Sequence, residues 1–513
     1  MKICIISSIG KQTYQGKYLE RNEETSSFWD LALFNNGQPL DVVDYYLSTN
    51  GNKDFINPNR HIYTNGILLA NRLYDEKTDI TIQNSINDNF LVQKFDVLII
   101  STNYITTGWV LVLKKLLEKC RIHKVKCIIG GIGIKKLFQK ERIVFNEISG
   151  LLDGYILIAD SGLSALIDTF NRIKNNRKDN EKVVFCDDLY DFKHEDYSLR
   201  HIDSSIHPKH TALITQTGCV YDCAFCSYKE KNKFHQFFNI QEIKMAIDEL
   251  VKTNVNTLYH LRFADETFNV DNSRVIELCN FIKKQNYSFR WSCFLRANNI
   301  TDELIYSLSN SGCDFVSIGV ESGSRYLQKL MNKNIDLDNL KIDIKKLRDA
   351  GIIVNVSLLV GFFGENESTV EETIKFIAES KPDLARINLW YPARIDKNKA
   401  LFDEYNFRYS NGKWIHNTTT QEKAVAFARK IYLMDSDTIF VPPFSSIFDQ
   451  WPVLSSYGLS KNEIVNIFRN YYIQAKQFAN QNSNLKFWLC QEKCVRFLKK
   501  FMSQCFSNLG GTP

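Results

Sequence analysis

Apolar residues in this chain fall into short continuous runs, separated by stretches in which they recur every three to four positions. The first pattern describes buried strands and the second amphipathic helices. In the first third, Lys2–Ser8, Asp79–Ile82, Phe95–Ser101, Lys126–Gly131 and Gly154–Ile158 are strand-like, and Gly66–Leu73 and Val110–Cys120 have helical spacing. A polar, irregular stretch runs from the first strand to about Arg60. Continuous apolar strands alternating with helices predict a doubly wound parallel sheet, an α/β Rossmann-like arrangement. Ligands of such sheets sit at the carboxyl ends of the strands. Small residues stand there: Ser7-Ser8, Ser101-Thr102-Asn103 and Gly130-Gly131.

The alternation resumes at His210 with longer helices. Six strands are expected at His210–Gln216, Thr257–Phe263, Ser288–Leu295, Phe315–Gly319, Ile352–Gly361 and Ala385–Tyr391. Helices are expected at Ile240–Lys252, Ser273–Lys284, Asp302–Asn310, Leu340–Ala350 and Glu367–Ser380. This pattern predicts a partial (β/α)6 barrel with its active site at the carboxyl ends of the strands. Beyond Tyr391-Pro392 the alternation is expected to stop. Aromatic-bearing loops (Trp414, Phe440, Trp451) and helical stretches Gln421–Leu433, Lys461–Asn480 and Leu485–Ser503 follow, a mainly helical cap over the substrate pocket. The expected domains are 1–185, a linker 186–208, the barrel 209–395 and the cap 396–513.

A chain of 513 residues with 44% hydrophobic and 13% aromatic content can fill two or three cores. Its +6 net charge, from 64 basic against 58 acidic residues, describes a mixed surface and gives no argument for nucleic acid. No run reaches the roughly 18–20 apolar residues of a membrane span. The N-terminal run is too short for a signal peptide. Of the 13 cysteines, several stand singly among apolar residues (Cys4, Cys127, Cys279, Cys293), which fits a reducing, cytoplasmic setting.

Three cysteines are different. Directly after the first barrel strand comes Thr217-Gly-Cys219-Val-Tyr-Asp-Cys223-Ala-Phe225-Cys226. Thiolates suit zinc or iron–sulfur clusters. A closed zinc site wants four protein ligands, and no fourth Cys or His follows at short range, His235 being the nearest. A [4Fe–4S] cube normally takes four thiolates, so three leave one iron open. The C-x3-C-x2-C loop, with Phe225 in the aromatic slot, closely resembles that of the radical S-adenosylmethionine (SAM) superfamily. The resemblance implies that Cys219, Cys223 and Cys226 hold the cluster and that SAM chelates the open iron. Reductive cleavage of SAM would then give a 5′-deoxyadenosyl radical, with an external electron donor of the flavodoxin or ferredoxin type.

Companion motifs follow in the expected order. Ser317-Ile-Gly319-Val-Glu321-Ser322-Gly323-Ser324 matches the family's G-x-E-S-G-S signature, which implies SAM contacts from Glu321, Ser322 and Ser324. Ser322 or Ser324 can also cap the next helix. Val360-Gly361-Phe-Phe-Gly364-Glu365 resembles the family's glycine-rich turn beside the adenine. Asp265, in Asp265-Glu-Thr-Phe268, resembles a residue of the SAM-facing rim, or else caps the helix after it. Arg296 could grip the SAM carboxylate as a bidentate fork, or else form a surface salt bridge.

The N-terminal third resembles the cobalamin-binding domain of one radical SAM subfamily. Ser101 and Gly130-Gly131 match the positions that line the pocket for the cofactor's nucleotide tail. The D-x-H-x-x-G element is absent, and the only histidines in this third are His61 and His123, which leaves a lower-axial histidine in doubt. A Rossmann-like domain without cobalamin remains open. Together these resemblances cover roughly residues 1–395 and imply methyl transfer to an unactivated carbon of a peptide or small-molecule substrate. The alternatives are a cobalamin-independent rearrangement, epimerisation or ring closure, or a non-catalytic metal- or cobalamin-binding protein. In the tail, Cys490, Cys494 and Cys505 are either a second cluster loop or small apolar residues of a buried helix face.

Overall fold

The computed structural model describes residues 1–6, 13–14, 17–18, 33–35, 38–40, 42–43, 46, 64–83, 90–102, 107–159, 162–177, 181–186, 191–204, 207–226, 235–392, 395, 397–410, 413–441 and 447–481. Ser7-Ser8, Asn103, His61 and the expected helical stretch Leu485–Ser503, with Cys490, Cys494 and Cys505, lie outside them. The chain divides into two compact units. The first comprises Met1–Asn22, Asn57–Thr217 and Lys231–Leu258; the second comprises Glu23–Ile56, Gly218–Glu230 and Tyr259–Pro513.

The first unit is built on six parallel strands in the spatial order Val183–Cys186, Gly154–Ala159, Lys126–Gly130, Val97–Ser101, Lys2–Ile6, Asp79–Gln83. The apolar runs are central because both faces are covered. Ile3 to Ile6 are wholly buried, and Val97 to Ile100 nearly so. Cys4, Leu98, Cys127 and Ile156 pack with Leu113, Leu117, Ile134 and Ile148 from the intervening helices. Those helices are Thr107–Ile122, Ile132–Lys140 and Arg142–Leu151; Leu163–Lys174 follows the strand Gly154–Ala159. In chain order the sheet runs 2-1-3-4-5-6, so its direction of growth reverses between Lys2–Ile6 and Val97–Ser101. Ligands of flavodoxin-like sheets bind at that switch point. Ser101 ends one of the two flanking strands and is in register with Gly130. The connector after this sheet is anchored within the same unit: Arg72 holds the buried Asp196 carboxylate, and His194 Nδ1 lies 2.9 Å from Glu242.

In the second unit the strands His260–Phe263, Arg290–Leu295, Cys313–Glu321, Ile353–Val360, Leu384–Leu389 and Ile439–Val441 run parallel and follow one another in chain order. Ile439–Val441 corrects the expectation that alternation stops at Tyr391. The helix Gln421–Tyr432 and this strand, paired to Leu384–Leu389, add one more repeat. The strand expected at His210–Gln216 is present but shorter. That strand ends at Leu213, and Gln216–Thr217 pairs antiparallel with Gln236–Phe237.

Side-chain caps set where the helices of the second unit begin. Asp271 accepts from the amides of Ser273 and Arg274, Thr301 from Leu304, Asp336 from Asp338 and Asn339, and Thr420 from Lys423. Asn366 and Thr369 form a reciprocal capping box. Each cap is worth about 1 kcal/mol. Burial pushes the thiols of Cys4 and Cys279 up to about 12, which marks them as inert core residues.

Candidate functional site

The cysteine loop belongs to the second unit, with the strands from His260 onward. It begins at Gly218, whose φ of 79° favours glycine. Cys223 is buried, while Cys219 and Cys226 are partly exposed. Among the described residues, the group whose donor atoms all lie within 4.8 Å of one another is His194, Glu195 and Glu242. The cysteine donor set fits a cluster: three soft ligands on one loop, with a cation beside one of them.

A turn of the barrel grips this loop. After the helix Arg325–Leu330, the carbonyl of Met331 accepts from the amide of Ala224 at 2.9 Å. Asn332 donates to the carbonyl of Asp222 at 2.9 Å, and the Lys333 ammonium sits 5.5 Å from the Phe225 ring centre. Lys397 pairs with the Asp222 carboxylate, and Asn398 donates to the carbonyl of Ala224.

Glu321 ends its strand with φ +70°, next to a break in register with Ile353–Val360. Non-glycine residues there store of order 1–3 kcal/mol and cluster at functional sites. Its carboxylate is held by the buried Lys333 ammonium at 2.7 Å. Gly319 makes that pair possible, because a β-carbon there would stand 2.7 Å from Glu321 Oε1 and 2.8 Å from Lys333 Nζ. The G-x-E spacing thus clears room for a buried ion pair. Sequence reasoning missed Lys333, one lysine after a helix with no motif around it.

The rest of the signature is divided between packing and open chemistry. The Ser322 hydroxyl accepts from the Ser324 amide at 3.1 Å and lies 3.2 Å from Thr373 Oγ1, so it fastens the helix Glu367–Ser380. Gly323 is required by the same contact, since a β-carbon would meet Phe376 at 2.6 Å. Ser324 makes no cap bond, which corrects that alternative for it. It is fully buried, and its hydroxyl has no partner among the described residues. Gly361 has φ +100°, and a β-carbon would strike the Trp414 ring at 2.7 Å, so packing accounts for its glycine. Its amide donates to Glu365, whose carboxyl is pushed up to about 8 by burial.

Asp265 is fully buried and is not the helix cap; Asp271 fills that place. Thr267, two residues on, brings its hydroxyl to 3.8 Å from Cys219 Sγ. Arg296 is no surface salt bridge. It is 8% exposed, its Nη1 donates to Cys223 Sγ at 3.2 Å and its Nη2 to the Lys333 carbonyl at 2.7 Å. Both terminal nitrogens are therefore engaged, while Nε is buried with no partner among the described residues.

In the first unit, Thr102 ties the strand ends together. Its hydroxyl donates to the Gly130 carbonyl at 2.9 Å and accepts from the Ile134 amide at 2.9 Å. Gly131, at φ +103°, would press a β-carbon to 2.5 Å from the Thr102 carbonyl oxygen, so packing alone demands that glycine. Gly130 is different: a β-carbon there would meet nothing nearer than Leu157 at 3.5 Å, an ordinary contact.

Residues 213–377 match the family described as the Radical SAM superfamily. Over 202 residues the chain is 27% identical to the anaerobic magnesium-protoporphyrin IX monomethyl ester cyclase of Rubrivivax gelatinosus, a match covering 37% of this chain and 36% of that protein. The chain thus spans about a third of the length of that relative. Among solved structures it is similar to the radical SAM methyltransferase TsrM of Kitasatospora setae with cobalamin and [4Fe–4S] cluster bound. That match has TM-score 0.53 and 11% identity, covering 85% of this chain and 96% of that one. The cobalamin-dependent radical enzyme OxsB, with aqua-cobalamin and SAM bound, matches with TM-score 0.50 and 16% identity, covering 86% and 69%. At these identities the likeness is one of fold. The family match thus falls on the cysteine-bearing segment, and the fold of the chain is similar to those of TsrM and OxsB. No helix among the described residues is long and apolar enough to cross a membrane.

Proposed function

We propose that this chain is a cobalamin-dependent radical SAM methyltransferase acting on an unactivated carbon of a peptide or small metabolite. The observation that carries the reading is the C-x3-C-x2-C loop, tied down by Met331, Asn332 and Arg296 inside the matched barrel segment. Cys219, Cys223 and Cys226 would hold a [4Fe–4S] cluster, and the Glu321–Lys333 pair and the unpartnered Ser324 hydroxyl would face SAM. Cobalamin would lie at the switch point of the first unit, against Ser101 and Gly130. When bound, these groups supply a carbon-centred radical that takes hydrogen from substrate, and a methyl carrier. The chain's own work is to hold them, orient the substrate and keep water from the radical. Its electron would come from a flavodoxin- or ferredoxin-type donor.

The test is anaerobic purification from a cobalamin-supplied host. Bound iron and sulfide, a cluster signal that changes when SAM is added, and copurified cobalamin are expected. If no cobalamin copurifies and added methylcobalamin does not bind, the methyltransferase reading is lost. A second reading, cobalamin-independent ring closure, rests on the 27% identity to the magnesium-protoporphyrin ester cyclase. Reductant-dependent 5′-deoxyadenosine without bound cobalamin would favour it.

A further inference from the structure

Arg296 is placed with more care than its sequence neighbourhood suggests. The Asn269 side chain, wholly buried, bonds both sides of its backbone: Oδ1 accepts from the Arg296 amide at 2.7 Å, and Nδ2 donates to its carbonyl at 3.0 Å. The guanidinium lies 3.9 Å over the Tyr221 ring. From there it donates to Cys223 Sγ and to the Lys333 carbonyl. Cys223 is the buried cysteine of the three, 6% exposed, so solvent screens this contact little.

We propose that Arg296 sets the reduction potential of the cluster through its hydrogen bond to Cys223. This rests on the cluster reading above. Hydrogen bonds to ligand sulfurs, net charge and solvent exposure set the potentials of such clusters. Reduction adds one electron from a low-potential flavodoxin- or ferredoxin-type donor, and no bond or proton changes place. The added negative charge is stabilised by a fixed cation on a ligand sulfur more than the oxidised state is. Arg296 therefore makes the cluster easier to reduce. Tyr221, Asn269 and the Lys333 carbonyl are the positioning groups that keep the guanidinium there.

The experiment is a redox titration, followed by electron paramagnetic resonance, of full-length protein with its cluster reconstituted and no SAM present. Arg296→Gln keeps a donor for the Lys333 carbonyl but removes the cation. It is expected to lower the reduction equilibrium constant about tenfold, a midpoint about 59 mV more negative, with iron and sulfide content and SAM affinity near those of the unaltered protein. Arg296→Lys, whose ammonium cannot reach both partners at once, is expected to shift in the same direction by less. Asn269→Ser, which loosens the arginine without touching its charge, should lie between Lys and no change. An unmoved midpoint in whichever of the three variants assembles a cluster overturns the inference, as does weakened SAM binding at an unchanged midpoint. An unaltered protein that holds no such cluster overturns the proposed function instead, so the two failures are told apart.

Discussion

The two units treat the carboxyl ends of their strands in opposite ways. In the first, the described strand ends are small and self-satisfied: Thr102 closes onto Gly130 and Ile134, and the strands themselves are apolar. In the second, charges are buried beside the strand ends: Glu321, Lys333, Arg296 and Asp265 are each at most 9% exposed. Burying charge is costly unless it is paired. A fold carries that cost where charge must be managed during a reaction. The first unit offers shape and backbone, suited to holding a large cofactor, and the second offers electrostatics, suited to handling electrons and a sulfonium.

The largest expected effect that would sharpen this contrast is at the cysteines. Replacing Cys219, Cys223 or Cys226 by serine should abolish reductant-dependent 5′-deoxyadenosine formation and most bound iron, while far-ultraviolet circular dichroism stays near that of the unaltered apoprotein. A variant with full iron content would contradict the assignment. Next comes the buried pair. Lys333→Met leaves the Glu321 carboxylate buried without its cation and should cost about 3–5 kcal/mol in denaturant unfolding. The double change Glu321→Gln with Lys333→Met should recover part of that loss.

A smaller effect tests the first unit. Gly131→Ala forces a β-carbon against the Thr102 backbone and should destabilise by about 1–3 kcal/mol whether or not cobalamin is present. Gly130→Ala should leave stability nearly unchanged and weaken cobalamin binding, measured by equilibrium dialysis. Equal effects at both positions would remove the reason to place a cofactor against Gly130. Read over a single pH unit, the smallest stability effect is that of pH, since one proton changes stability by at most about 1.4 kcal/mol per unit. Because burial raises the Glu365 carboxyl from 4.5 to about 8, the native state binds a proton that the unfolded chain has released between those values. Its contribution to stability is complete below about 4.5 and is lost as pH rises through about 8. The melting temperature should fall across that window, and Glu365→Gln should flatten the fall.

Much of the fold was legible because apolar runs between polar punctuation are a local signal. Asp302–Asn310 and Glu367–Ser380 have the bounds expected from spacing and caps. Ile439–Val441 and Val183–Cys186 were not legible, since strands of three or four residues carry too little periodicity to stand out. The cysteine loop was legible because metal ligation constrains residue type and spacing together. The partners of that loop were not. Lys333 and Asn269 reach their contacts through folding, from positions whose neighbours in the chain give no hint of them.

What the sequence determined by itself is therefore the chemistry on offer: three thiolates on one loop, glycines and serines at strand ends, and the alternation that builds parallel sheets. What only the tertiary structure decided is which group faces which. It turned Ser322 toward Thr373 and laid Arg296 against Cys223, and it used Gly319 to seat an ion pair and Gly131 to clear a backbone. Ligand type is written in single residues, whereas charge pairing and close approach depend on distances between segments far apart in the chain, and packing alone sets those.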